Sequence, residues 1–410
     1  MTNMLSDVKA ILFIGEAGVS TGFARVLREI GDQLAQTFRV HQLAIGYLGD
    51  PHTYPWPLYP ASNRGDLLGR NRLPELIKLI RPSVIFIVNS LGTVASILDA
   101  LNHAEASDIP IIAYCAVEEG GFDPQVVLRL KRLAKLVVYT DYARGILREC
   151  FVQVGHPVGD DFIEVIPLGV DTSVFHPLKP LNERGARSAE SRISAKSDLL
   201  QRDIGSDAFF VLNANRNTPR KLINITVQAF SIFCRGKHPD VKLYLHMGLR
   251  DLGWDIKWLA KRHGIQDRLI LSTDSASMPR DSDEVLNLIF NACDIGVSTA
   301  GAEGWGLTAF EHAATGAPQI VPRHSSYEEL WSDSGILVDP VLTLSTPDGQ
   351  FMWDYHLMSP QAVAEAFNRL YSDPLQFDLA SAAAFRNATK REYQWQTICD
   401  QWNDIFRPWA

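Results

Sequence analysis

Two glutamates, Glu303 and Glu311, lie eight residues apart in Gly301-Ala302-Glu303-Gly304-Trp305-Gly306-Leu307-Thr308-Ala309-Phe310-Glu311, across a glycine-broken loop and the start of a helix. Carboxylates there can accept protons from ligand hydroxyls. Gly304 and Gly306 let the backbone turn its N–H groups toward an anion at the positive end of the helix. The pattern suits a polyhydroxylated ligand with an anionic part, although glutamates that merely favour a helix N-terminus have the same spacing. A second group is Asn213-Ala214-Asn215-Arg216-Asn217-Thr218-Pro219-Arg220-Lys221, with three cations where a strand ends. Arg216 can grip two oxygens in a planar fork and Lys221 can add a point charge, as a diphosphate requires. A third is Gly15-Glu16-Ala17-Gly18-Val19-Ser20-Thr21-Gly22, whose Gly18, Ser20, Thr21 and Gly22 form a turn able to cradle a phosphate. No Gly-Lys-Ser/Thr follows it, its glycine spacing is not that of a dinucleotide fingerprint, and the next strand ends without the acid a nicotinamide ribose wants. The fourth is the acidic turn Glu118-Glu119-Gly120-Gly121, which can present a carboxylate to an acceptor or a reacting sugar, or be a solvated turn.

The elements that hold these groups read as strands alternating with helices, twice over. Apolar runs at 10–15, 40–45, 82–88, 109–114 and 136–140 form one series, and runs at 208–213, 241–246, 269–271, 295–297 and 319–321 form another. Runs of this kind, separated by amphipathic helices, predict parallel sheets covered on both faces. The expected organisation is α/β. It comprises a first doubly wound domain over 1–178, a linker or insertion over 179–205 with an exposed polar stretch from Asn182 to Ser197, and a second doubly wound domain over 206–390. A final helix over 391–410 carries Tyr393, Trp395, Ile398, Trp402 and Phe406 at helical spacing. The stretch from Leu342 to Ser359, with Phe351, Trp353, Tyr355 and His356, reads as an insertion that either packs on the core or stacks on a ligand. Ligands of such sheets bind beyond the carboxyl ends of the strands, where all four groups fall.

Composition narrows the class. With 410 residues, 46% hydrophobic and 21% charged, the chain reads as a soluble globular protein of about two domains. A net charge of −8 gives no global reason to bind nucleic acid. Five scattered cysteines without metal-ligand spacing fit a reducing cytoplasm. Met1 to Lys9 lacks a signal-peptide pattern and no apolar run is long enough to span a bilayer, so any membrane contact is expected to be peripheral. Asp281-Ser282-Asp283 reads as a helix cap rather than a metal motif.

Taken together, these residues resemble a known family, the retaining GT-B nucleotide-sugar glycosyltransferases that include sucrose synthase-like and mannosyltransferase-like enzymes. Glu303 and Glu311 are similar to its paired-Glu (EX7E) signature, Arg216 and Lys221 to its diphosphate pair, and Gly18 to Gly22 to its N-terminal glycine loop. Val165 to Pro177 resembles its interdomain segment. The resemblance implies two Rossmann-like domains facing across a cleft, with the C-terminal helix crossing back to the first domain. It implies a hexosyltransferase-like reaction: a sugar moves from a nucleoside-diphosphate sugar to an acceptor hydroxyl of a saccharide or glycoconjugate, with retention and without a metal. No cofactor is implied, the nucleotide sugar being the donor substrate. In this reading Glu311 takes the ribose hydroxyls and Glu303 faces the sugar. The amides of Gly304, Trp305, Gly306, Leu307 and Thr308 surround sugar and diphosphate, and Arg216 and Lys221 meet the leaving diphosphate. Many relatives carry His or Asp where Glu118 and Glu119 stand, and a smaller aromatic at Trp305. The alternatives are a nucleotide-sugar-binding regulatory protein without turnover, or glycosylation of a modified nucleic-acid base.

Overall fold

The computed structural model describes residues 8–19, 21–102, 108–348 and 351–410, and no side chain from 347 to 353. The chain divides into two compact units. One takes in the chain up to Gly169 together with Trp395–Ala410, and the other takes in Val170–Asp348 and Met352–Gln394.

The first unit holds strands β1 (Ala10–Glu16), β2 (Arg39–Ile45), β3 (Leu58–Pro60), β4 (Val84–Ser90), β5 (Ile111–Ala116), β6 (Lys135–Val138) and β7 (Ile163–Val165). They lie in the order β3-β2-β1-β4-β5-β6-β7, all parallel. Most of their side chains are apolar and buried, as in a parallel sheet covered on both faces. The helix Gly22–Leu34 packs so closely on the sheet that a Cβ at Gly31 would lie 2.9 Å from the Phe13 ring on β1. The end of the chain completes this core. The helix Trp395–Phe406 buries Ile398, Trp402 and Phe406, and the Trp402 ring sits 4.9 Å from Phe86 on β4 and 4.8 Å from Tyr114 on β5.

The second unit holds β8 (Phe209–Asn213), β9 (Val241–Leu245), β10 (Leu269–Leu271), β11 (Ile295–Val297), β12 (Gln319–Pro322) and β13 (Ile336–Val338), in the parallel order β10-β9-β8-β11-β12-β13. A separate two-stranded hairpin, β14 (Pro340–Asp348) and β15 (Phe351–Met358), forms most of the stretch read as an insertion. The helices Ile223–Phe233 and Pro360–Ser372 cover one face, with the Phe233 ring 5.5 Å from Phe367. Ser282 caps the helix Asp283–Ala292, as its sequence predicts.

The polar segment expected as an exposed linker is instead clamped to this unit. It forms the helix Ala189–Leu200, and Arg187 and Lys196 are buried. Arg187 donates to the carbonyls of Phe290, Asn291, Cys293 and Asp294 at 2.6–3.1 Å, satisfying groups that the end of helix Asp283–Ala292 leaves open. The Asp294 carboxylate pairs with Lys196 at 2.8 Å and with Arg192, and accepts from the Phe210 amide at 2.6 Å. Burial opposes its charge, but Lys196 and Arg192 hold its pKa below the usual value. The crossings also differ from expectation, falling after Gly169 and after Gln394. At both ends of the second unit the chain is tied together: the Val170 amide donates to the Tyr393 carbonyl at 2.8 Å, and Thr172 donates to Gln394 at 3.0 Å.

Candidate functional site

In the second sheet the order of strands reverses between β8 and β11, which is where an open parallel sheet leaves a crevice beyond its carboxyl edge. The segments leaving these two strands carry the candidate residues. After β8, Pro219–Lys221 makes a single 3-10 turn, and Leu222, at φ +47°, swings the chain into the next helix. A polar lattice fixes that swing. The Thr299 hydroxyl lies 3.1 and 3.0 Å from the carbonyls of Lys221 and Leu222 and 2.8 Å from the Thr226 hydroxyl, which accepts from Asn213 at 2.9 Å. The Gly301 amide donates to the Arg220 carbonyl at 2.8 Å, so the two segments are joined by backbone as well.

Glu303 is thereby held between two cations. Its Oε2 pairs with the Lys221 ammonium and its Oε1 lies 3.6 Å from the Arg220 guanidinium, which also donates to the Ala302 carbonyl. Glu303 and Lys221 are both buried. Burial works against the charge on Glu303, yet Lys221, then Arg220, and the Gly304 amide keep its pKa below the ordinary value. Ser326 donates to the Glu303 carbonyl at 2.5 Å. Gly306 adopts φ +87°, and a Cβ there would meet the Tyr327 ring at 2.7 Å, so glycine is needed on both counts. The helix Leu307–Ala314 follows without a side-chain cap, its first amides being those of Leu307 and Thr308, and Glu311 is buried in its second turn.

The other expected residues have these surroundings. Arg216 forks onto Asp251 at 2.7 and 3.2 Å with its side chain half exposed, and the second cation beside Glu303 is Arg220. The Trp305 indole is 2% exposed, stacked on Phe310 at 5.0 Å and edge-on to Tyr393 at 5.3 Å; this position can offer a ligand its backbone amide. In the first unit, Gly18 adopts φ +69° and its amide donates to the Tyr54 hydroxyl at 3.4 Å. Thr21 caps the helix that begins at Gly22, accepting from the Ala24 amide at 3.3 Å and donating to Glu16. Ser20 lies outside the described residues. Glu119 is buried and accepts from the Gly120 amide at 2.9 Å and the Tyr142 hydroxyl at 2.7 Å. Glu118 is half-buried and, after burial itself, helps push the Cys115 thiol and the Tyr139 phenol up.

Sequence reasoning missed Arg220 as the partner of Glu303, and it missed His324, Ser326 and Tyr327 altogether. Arg220 was in view as one of three cations, but no spacing rule separates it from Arg216. His324 Nε2 lies 3.0 Å from the Ala300 carbonyl and its ring stacks on His356 at 4.7 Å, while the His356 amide donates to the Gly301 carbonyl at 2.9 Å. The hairpin is therefore docked on the Glu303 loop, with Tyr355 against Gly301. Side chains of Phe351 and Trp353 lie outside the described residues.

No protein-family model matches the chain. Among curated proteins, the mannosylfructose-phosphate synthase of Agrobacterium fabrum is 25% identical over 169 residues, which are 40% of this chain and 33% of that protein's length. Solved structures match over the full length. HepE from Anabaena, in complex with UDP and glucose, is 17% identical, with 98% of this chain and 100% of that chain covered and a TM-score of 0.69. Sucrose-phosphate synthase from Thermosynechococcus elongatus is 16% identical, with 98% of each chain covered and a TM-score of 0.70. The catalytic domain of starch synthase IV from Arabidopsis thaliana, bound to ADP and acarbose, is 12% identical, with 98% and 99% covered and a TM-score of 0.66. Two doubly wound units and a last helix returning to the first, matched end to end by these structures, define the class of fold: the chain has the GT-B architecture.

Proposed function

We propose that the chain is a retaining glycosyltransferase that moves a sugar from a nucleoside-diphosphate donor to a hydroxyl of a saccharide or glycoconjugate, without a metal. The observation that carries this is the Glu303 carboxylate held by Lys221 and Arg220 beside the uncapped helix Leu307–Ala314, at the reversal point of the second sheet. In the reaction the bond from the anomeric carbon to the diphosphate breaks, a bond to the acceptor oxygen forms, and the acceptor's hydroxyl proton passes to the departing diphosphate. Charge grows on the departing diphosphate, and fixed cations and helix amides stabilise that charge more than the ground state. Lys221, Arg220 and the amides of Leu307 and Thr308 take this role. Glu303, kept ionised, accepts from sugar hydroxyls, and Glu311 from the donor ribose. The full-length likeness to structures holding UDP with glucose, or ADP with acarbose, supports a donor of this class.

The test is release of nucleoside diphosphate by the purified chain from a panel of UDP-, GDP- and ADP-sugars, with and without saccharide acceptors, followed by NMR of the product's anomeric proton. Acceptor-dependent release with retained configuration is expected, unchanged by EDTA. Lys221→Ala should lower kcat by about 10²- to 10³-fold, the usual cost of one donor aimed at developing charge. Binding of a donor with no turnover on any acceptor would leave the regulatory alternative. Inverted product, or loss of activity in EDTA restored by a divalent metal, would overturn the corresponding part of the reading.

A further inference from the structure

The second unit exposes large apolar side chains close together after β9: Leu252 is 66% exposed, Trp254 36% and Trp258 52%. These side chains are not on a loose loop. Asn217, fully buried, donates to the carbonyls of Gly248 at 3.1 Å and Trp254 at 2.7 Å, and accepts from the Trp254 amide at 2.9 Å. Gly253 sits so close that a Cβ would lie 2.3 Å from the Asn217 side-chain oxygen. Asp255 then caps the helix Ile256–Arg262, accepting from the Trp258 amide at 3.0 Å. Ile256, Leu259 and Ala260 of this helix are buried, which turns Lys257, Trp258, Lys261 and Arg262 outward.

The charge of this face departs from that of the whole chain. The helix carries three cations and no acid in a protein of net charge −8. The acids around it are taken up in ion pairs: Asp255 with Arg250 at 2.6 Å, Asp274 with Lys257 at 2.8 Å and Asp251 with Arg216 at 2.7 Å. Lys261 and Arg262 have no acidic partner among the described residues. A braced surface of tryptophan, leucine and uncompensated cations has the composition of a bilayer-interface contact. There the indole rings settle at headgroup depth, leucine enters the acyl boundary and the cations meet lipid phosphates. Single-stranded nucleic acid fits less well. The Arg262 guanidinium lies 5.3 Å from the Trp258 ring centre and covers a face a base would need, and an exposed leucine offers nothing to stack on.

We infer that the Leu252–Arg262 face docks the protein on membrane surfaces rich in anionic lipid. The inference is independent of the sugar-transfer reading. Its test is flotation of the full chain with vesicles of phosphatidylcholine alone and of phosphatidylcholine mixed with phosphatidylglycerol, with tryptophan emission followed in parallel. Binding to the mixed vesicles only is expected, weakened by salt and accompanied by a blue shift. Lys261→Gln with Arg262→Gln should lower partitioning on the order of 30-fold. Leu252→Ser with Trp258→Ser should lower it about tenfold or more. Both variants alter exposed positions, and their melting temperatures should match the parent. The inference fails if the parent does not float, if it binds phosphatidylcholine vesicles equally, or if both variants float as the parent does. It also fails if a single-stranded oligonucleotide, rather than lipid, is what the variants stop binding.

Discussion

At the residue scale, Glu303 and Lys221 form a unit whose halves cannot be removed separately. Lys221→Ala takes from a buried carboxylate its close cation and leaves Arg220 at 3.6 Å. The expected destabilisation is about 3–5 kcal/mol by urea unfolding, much of it recovered when Glu303→Gln is added, because the stranded charge is then gone. Turnover should stay lost in the double variant, which separates stability from chemistry. A second test concerns His312, next to Glu311 and also buried. Burial first, then Arg187, pushes its pKa down to about 3. The unfolded histidine takes up a proton near pH 6.5, whereas the folded one does so only near 3, so stability falls as the pH drops through that window. The slope is at most about 1.4 kcal/mol per pH unit. Glu303 and Asp294, both with lowered pKa values, act in the same direction at more acid pH, since their stabilisation is present above the usual carboxylate pKa and lost below it. The difference between the parent and His312→Gln in urea midpoint should therefore change with pH between 6.5 and 4 and become constant above 7.

At the scale of elements, the Glu303 loop depends on Gly306 and on what packs against it. Gly306→Ala places a side chain at φ +87° against the Tyr327 ring, and an expected cost of about 1–3 kcal/mol should come with weaker donor binding in calorimetry. The sequence made such a loop legible because β8 and β11 end cleanly and their exits carry unlike residues: cations after one, glycines and glutamates after the other. The long strands β1, β4, β5 and β8 were legible as apolar runs, and β9 as one broken by Lys242 alone. Short β3, with Pro60, and short β7 gave no such run. The hairpin β14–β15 does alternate apolar and polar residues, as in Trp353-Asp354-Tyr355-His356-Leu357, but it lies outside the strand–helix rhythm and reads as an insertion, so its pairing shows only in three dimensions. The choice between Arg216 and Arg220 was not legible at all. It is made by the 3-10 turn and by the left-handed Leu222, both set by Thr299, which stands far away in sequence. Arg187 and Lys196 misled in the opposite sense, since a polar segment reads as exposed until the buried carboxylate of Asp294 is seen opposite it.

At the scale of the whole molecule, the first unit is discontinuous, its closing segment Trp395–Ala410 following the second unit in the chain. Trp402→Ala should cost the first unit about 3–5 kcal/mol, as large aromatic truncations in cores do. Deleting 395–410 should go further. Phe86 and Tyr114 lose the ring that packs on them, and hydrogen exchange should show β1, β4 and β5 losing protection while β8, β9 and β12 keep theirs. Equal loss in both units would mean that they do not fold separately. The placement of this helix also orders events during synthesis. The strands of the first unit leave the ribosome early, but their last packing partner is translated only after the entire second unit, a wait of roughly 10–45 s at ordinary elongation rates. A chain that stops short of Trp395 can hold a finished second unit and an unfinished first one, so the unit that is written first is the last to be completed.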